Sequence, residues 1–99
     1  MFETYATDTF KKVYDSLDNN EKEWINKTKV KLKESPTGKP LSSPWFREKK
    51  YLNKRLYFLI DETTKRILFV SFAPKKDQQD IINFVKENMS ELFNYLRML

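Results

Sequence analysis

The sequence predicts an α+β domain built from one strand, an αα-hairpin, a three-stranded antiparallel meander and a C-terminal amphipathic helix. Three observations predict it. Apolar residues recur at helical spacing through residues 10–32, at period two through residues 45–73, and at helical spacing again after Pro74. The only glycine and three of the four prolines fall in SPTGKPLSSP, residues 35–44, which separates the first helical region from the strands. The chain of 99 residues supports one modest core, because the pieces of about 35 and 55 residues on either side of that loop are too short for separate ones.

Each element has its own local signal. Residues 2–7, FETYAT, alternate Phe2, Thr4 and Ala6 with Glu3, Tyr5 and Thr7, the pattern of a short strand. Thr7 or Asp8 can cap a first helix, whose stripe is Phe10, Val13, Tyr14 and Leu17. Asp18, followed three residues later by Glu21, has the form of a capping box for a second helix, which carries Trp24, Ile25, Thr28 and Leu32 on one side. Lys27, Lys29, Lys31 and Lys33 then spread around its outside as a solvated face. The two helices form an αα-hairpin that ends at the proline-rich loop.

From Trp45 the period changes to two. Residues 45–52, 54–61 and 66–73 read as strands, with Asn53 in one tight turn and DETT in the next. In KRLYFLID, Leu56, Phe58 and Ile60 face one way and Arg55, Tyr57 and Leu59 the other. RILFVSFA is apolar on both faces, so it belongs inside the sheet. After Pro74, Ile81, Phe84, Val85, Met89, Leu92, Phe93 and Leu96 hold helical spacing over several turns, and this stripe is expected to pack on the same domain.

Composition excludes several chemistries. With no cysteine there is no disulfide framework, no thiolate nucleophile and no cysteine-type zinc site. With no histidine, any acid-base step falls to Lys, Arg, Tyr, Asp or Glu. Neither a cofactor nor a metal is expected. No stretch reaches the roughly 18 to 20 apolar residues of a membrane span, and MFETYATDTF has no signal-peptide pattern, so a soluble cytoplasmic protein with no membrane partner is expected.

The net charge of +5 is unevenly spread. Residues 26–55 carry ten cations against two acids, while residues 1–25 are net acidic. Such a concentration attracts polyanions through counterion release. Its densest part is WFREKKYLNKR, residues 45–55, where Glu48 is the only acid among Arg47, Lys49, Lys50, Lys54 and Arg55. On a strand Arg47, Lys49 and Tyr51 share one face and Glu48, Lys50 and Leu52 the other. Arg55, just past the turn, is expected to approach the surface of Arg47, Lys49 and Tyr51, with Lys75 and Lys76 adding to one edge. Convergent cations beside aromatic rings hold RNA by phosphate contacts and base stacking. The alternative reading is a lysine-rich strand that discourages aggregation.

The order of elements, the GKPL segment at Gly38–Leu41, and the run Arg55-Leu56-Tyr57 followed by Ile60-Asp61 resemble the RelE/ParE toxin superfamily of type II toxin-antitoxin systems, in a RelE-like form. The resemblance extends from the first strand to Lys76. It implies a ribosome-dependent mRNA endonuclease (an mRNA interferase) that needs neither histidine nor metal and uses cations for phosphate binding and charge stabilisation. Carried over by position, it implies catalytic roles for Lys49, Arg55 and Lys76, with Arg47 and Lys50 as rivals of Lys49 and Lys75 as the rival of Lys76. Arg47, Lys50, Tyr51, Lys54 and Lys75 are then nucleic-acid contacts. The implied partners are the ribosome with its mRNA and a cognate acidic antitoxin. A ParE-like inhibitor of DNA gyrase, or a catalytically inactive RNA-binding relative, is the alternative. One departure bears on this choice: where RelE-like nucleases often carry a tyrosine shortly after the last cation, this sequence has DQQDIINF, in which only Asp77 or Asp80 could serve as a base.

Overall fold

The computed structural model describes residues 1–99. Its elements are β1 (Glu3–Ala6), α1 (Asp8–Asp15), α2 (Asn19–Glu34), β2 (Lys39–Pro40), β3 (Phe46–Tyr51), β4 (Lys54–Asp61), β5 (Arg66–Pro74), a 3-10 turn (Lys75–Asp77), α3 (Gln78–Glu87) and α4 (Met89–Met98). Both helix starts form as their sequences dictate. Thr7 Oγ1 accepts from the Phe10 amide at 3.0 Å, and Asp18 and Glu21 exchange backbone-to-carboxylate bonds of 2.8 and 3.2 Å in a complete capping box. Such caps contribute about 1 kcal/mol each.

The five strands lie in the order β1-β5-β4-β3-β2. β1 runs parallel to β5, and the other pairs are antiparallel. β5 is therefore flanked on both sides, in accord with its two apolar faces. A register shift between Tyr57 and Phe58 leaves Val70 without an opposing residue, the mark of a β-bulge.

The sheet separates two apolar layers. Leu56, Phe58, Ile60, Ile67, Phe69 and Phe72 pack with Phe10, Ile25 and Leu32 of α1 and α2. On the other face Phe46, Tyr57, Leu59, Leu68 and Val70 pack with Val85, Leu92 and Leu96 of α3 and α4. Aromatic residues fill much of this volume; Phe58 meets Phe69 edge to face at 6.2 Å, the favoured geometry for the ring quadrupoles.

Three local expectations are corrected. The C-terminal stripe is not one continuous helix: it breaks at Asn88, whose backbone amide and side-chain amide both donate to the Phe84 carbonyl, at 3.0 and 2.9 Å. A side chain that competes for helical carbonyls ends α3 there. The break lets Leu92 and Leu96 bury beside Val85 and leaves Phe84 and Met89 exposed. The second difference is that Lys39 and Pro40, expected in a loop, form a two-residue edge strand, a position where proline costs no ladder bond. The turns also shift: Leu52 joins Asn53 in the first, with φ of 53°, and Lys65 closes the second with φ of 57°.

α4 is fixed to the sheet by charge as well as by apolar contact. Arg66 Nη1 donates to the carbonyls of Leu96 and Arg97, at 3.0 and 3.2 Å, in the last turn where the helix dipole favours a cation. Arg97 Nε donates to Asp61 Oδ2 at 3.0 Å. No helix is long and apolar enough to cross a membrane.

Candidate nucleic-acid interface

The β3–β4 turn decides which cations meet. Tyr51 opposes Lys54 across two turn residues, and the ladder continues with Lys50 opposite Arg55, Lys49 opposite Leu56, Glu48 opposite Tyr57 and Arg47 opposite Phe58. Opposed residues share a face. Arg47, Lys49, Tyr51 and Lys54 therefore point to the α2 side, and Glu48, Lys50 and Arg55 to the α3 side. The expectation that Arg55 approaches the surface of Arg47, Lys49 and Tyr51 is overturned, because a two-residue turn fixes the register and period two does the rest.

On the α2 side the four side chains are tied into the fold. Arg47 Nε donates to the Pro44 carbonyl at 2.7 Å and its Nη1 to Gly38 at 3.2 Å, which fastens the proline-rich loop. Lys49 Nζ donates to Thr37 Oγ1 at 2.9 Å. Tyr51 packs on Trp24, with ring centroids 4.9 Å apart. Lys54 reaches Glu21 on α2 at 2.6 Å and lies 5.5 Å from the centre of the Phe72 ring.

The α3 side is organised differently. Lys50 and Arg55, two like charges directly opposed, are an unfavourable cross-strand pair. Lys50 is exposed and forms no ion pair. Lys39 on β2 opposes Glu48 and so joins the same face. β5 leaves the sheet opposite Lys54 and Arg55, so the exposed Lys75 and Lys76 follow at the same end. Glu48 lies among these cations, 7% exposed. Its Oε2 is 3.3 Å from Arg55 Nε and accepts from Gln78 Nε2 at 2.6 Å.

The Arg55 side chain is 13% exposed, and its Nε is buried with no well-angled acceptor. Its two terminal nitrogens make no hydrogen bond within the protein and are not sealed from solvent, so they remain free for an anion. Two residues further along β4 the Tyr57 hydroxyl is buried near Gln78 with no well-angled hydrogen-bond partner. Burial pushes its pKa above the usual 10.0, the charges of Glu48 and Asp77 add to that, and Gln78 and Arg55 oppose it.

This arrangement can hold a phosphate diester against Arg55, with lysines on either side. Sequence reasoning missed Glu48, Tyr57, Gln78 and Lys39 as parts of it. The alternation of Glu48 with Lys50 was a usable signal for the first. Gln78 had none, since it arrives from 30 residues away.

No family model matches the sequence, and no curated protein matches it. Solved structures do match. A doubly substituted variant of the Escherichia coli toxin RelE in the free state superposes with a TM-score of 0.74 at 18% identity, covering 87% of this chain and 96% of that one. The chain has the RelE toxin fold. An E. coli RelBE toxin-antitoxin complex matches with a TM-score of 0.68 at 18% identity, over 75% of this chain and 96% of that one. The toxin-antitoxin complex RelBE2 from Mycobacterium tuberculosis matches with a TM-score of 0.62 at 15% identity, over 75% and 98%. In this version of the RelE fold, the basic strand β3 contributes to two surfaces, one that fastens the fold and one that stays open beside Arg55.

Proposed function

We propose that this chain is the toxin of a type II toxin-antitoxin pair and cleaves mRNA on the ribosome, with Arg55 holding the scissile phosphate and Lys50 and Lys76 flanking it. The observation that carries this reading is the open pair of terminal nitrogens on Arg55, set opposite Lys50 at a cost in like-charge repulsion. A local conflict of that kind is expected where binding, not stability, selects the residues.

In this reading the RNA 2'-hydroxyl attacks the adjacent phosphorus and the 5'-oxygen leaves. Charge that develops on the phosphate oxygens meets donors already in place, the usual source of large rate effects. Lys50 takes the part that the resemblance gave to Lys49, because Lys50 shares the face of Arg55 and Lys49 is bonded to Thr37. A bound acidic antitoxin would cover this cationic surface; RelE structures with antitoxin partners are among the fold's neighbours.

The absence of a tyrosine in residues 77–84 favours a second reading, a non-enzymatic toxin of this fold that acts on gyrase, or an inactive RNA-binding relative. Primer extension on mRNA from translating ribosomes, with wild type beside a folded Arg55→Ala variant, separates them. Discrete cuts that vanish in the variant support the nuclease. No cuts by folded, partner-free wild type would favour the second reading.

A further inference from the structure

We propose that Glu48 is the general base of the cleavage step, an inference that rests on the nuclease reading above. Among the acids near the open end of the sheet, Glu48 alone is ion-paired to Arg55, the group assigned to the phosphate. Its two carboxylate oxygens differ. Oε2 is occupied, facing Arg55 Nε at 3.3 Å and accepting from Gln78 Nε2 at 2.6 Å. Oε1 makes no hydrogen bond and is not sealed from solvent.

A carboxylate kept only to neutralise Arg55 would be best served with both oxygens engaged. This one is fixed through one oxygen and leaves the other unengaged on the residue paired with Arg55, and a free carboxylate oxygen is what proton abstraction requires. Asp77 and Asp80 form no ion pair with Arg55, and Asp80 is exposed on α3. Glu48 thus occupies the chemical place left empty by the missing tyrosine.

The step balances without a further reactant. Glu48 Oε1 takes the 2'-hydroxyl proton as O2' bonds to phosphorus, the bond from phosphorus to the 5'-oxygen breaks, and that oxygen takes a proton from water. The products are a 2',3'-cyclic phosphate and a 5'-hydroxyl. Charged and titratable groups that face Glu48 are Arg55 and Tyr57 from β4, Lys50 from β3, Lys39 from β2 and Asp77 from the turn before α3.

The test is single-turnover cleavage of A-site mRNA on programmed ribosomes at saturating ribosome. Glu48→Gln is expected to cut about 100-fold or more slowly with unchanged ribosome affinity. Added formate is expected to restore part of the rate in Glu48→Ala. Glu48→Gln with wild-type rate, or Glu48→Ala that formate leaves unmoved, would overturn the role. If circular dichroism shows Glu48→Gln unfolded, Glu48→Asp replaces it: a rate below wild type but above that of Glu48→Ala supports the base, and an undiminished rate, or one as low as that of Glu48→Ala, overturns it. Wild type that does not cut overturns the nuclease reading itself, whereas a cutting wild type with an equally fast Glu48→Gln overturns only the role of Glu48.

Discussion

Glu48 and Arg55 lie two residues out of register on neighbouring strands, yet Glu48 Oε2 sits 3.3 Å from Arg55 Nε with both side chains nearly covered. The diagonal contact engages the guanidinium through Nε and leaves its terminal nitrogens without a partner in the protein. Arg55→Ala should therefore do two things. On the nuclease reading proposed above it removes the phosphate donor and abolishes cleavage, and on any reading it strands a largely covered carboxylate at a cost of about 3 kcal/mol, read from urea unfolding. Arg55→Lys should keep much of the stability and still lose most of the cleavage rate, because an ammonium cannot supply two parallel donors.

Lys49 and Lys50 are adjacent in sequence and opposite in direction. Lys50→Ala is expected to slow cleavage by about 10-fold or more, as for loss of a charge near the reacting phosphate. Lys49→Ala should change the rate little, since its ammonium is bonded to Thr37 on the α2 side. Equal effects of the two in a single-turnover assay would refute the division of faces.

Asp61 gives the fold an acid-sensitive joint. Burial pushes its pKa up, but Arg97, the Thr64 hydroxyl and the Thr63 amide together outweigh this and hold it below the usual 3.8. A depressed carboxylate stabilises the fold above its unfolded pKa, and that contribution is lost as pH falls through the folded value. Wild type should thus lose stability below about pH 4 more steeply than Asp61→Asn. At neutral pH Asp61→Ala should cost about 2 kcal/mol by loosening α4, measured by thermal or urea unfolding.

Tyr57 titrates in the opposite direction. Its raised pKa favours the neutral form in the folded chain, so stability is intact below the unfolded value of 10.0 and falls as pH rises beyond it. Tyr57→Phe removes a buried hydroxyl with no well-angled partner, and should be neutral or stabilising by up to about 1 kcal/mol at neutral pH. Its unfolding should also be less sensitive to alkali than that of wild type.

Gly38 is fixed by space and by backbone. At φ of 158° its missing Cβ would lie 3.0 Å from the Glu48 carbonyl and from the Phe58 ring, and 3.2 Å from Arg47 Cβ. Gly38→Ala should destabilise by about 1–3 kcal/mol and free the Arg47 anchor of the loop, seen as a lower Tm and faster proteolysis within residues 35–44.

The helix caps at Thr7 and Asp18, the turn near Asn53, the interior placement of β5 and the burial of Ile25, Thr28 and Leu32 were legible in the sequence, because each depends on neighbours within a few residues. The Asn88 break was harder to read. The apolar stripe runs through it unbroken, and only the competition of one side chain for the Phe84 carbonyl ends α3. Of the candidate site, the cation-rich stretch and Arg55 stood out, whereas the partners of Arg55 did not.

Period two stated that Lys49 and Lys50 point apart, and local chemistry stated that cations gather in β3 and around its turn. Neither says which face a strand turns toward which helix pair. That was decided by tertiary structure: the Tyr51–Lys54 register set Arg55 beside Lys50, packing of α2 and the loop engaged Arg47, Lys49 and Lys54, and α3 returned Gln78 to Glu48 from 30 residues away. Short-range energies fix an element and its alternation. The face that stays open is a property of what packs against it, so it exists only once the distant parts of the chain have met.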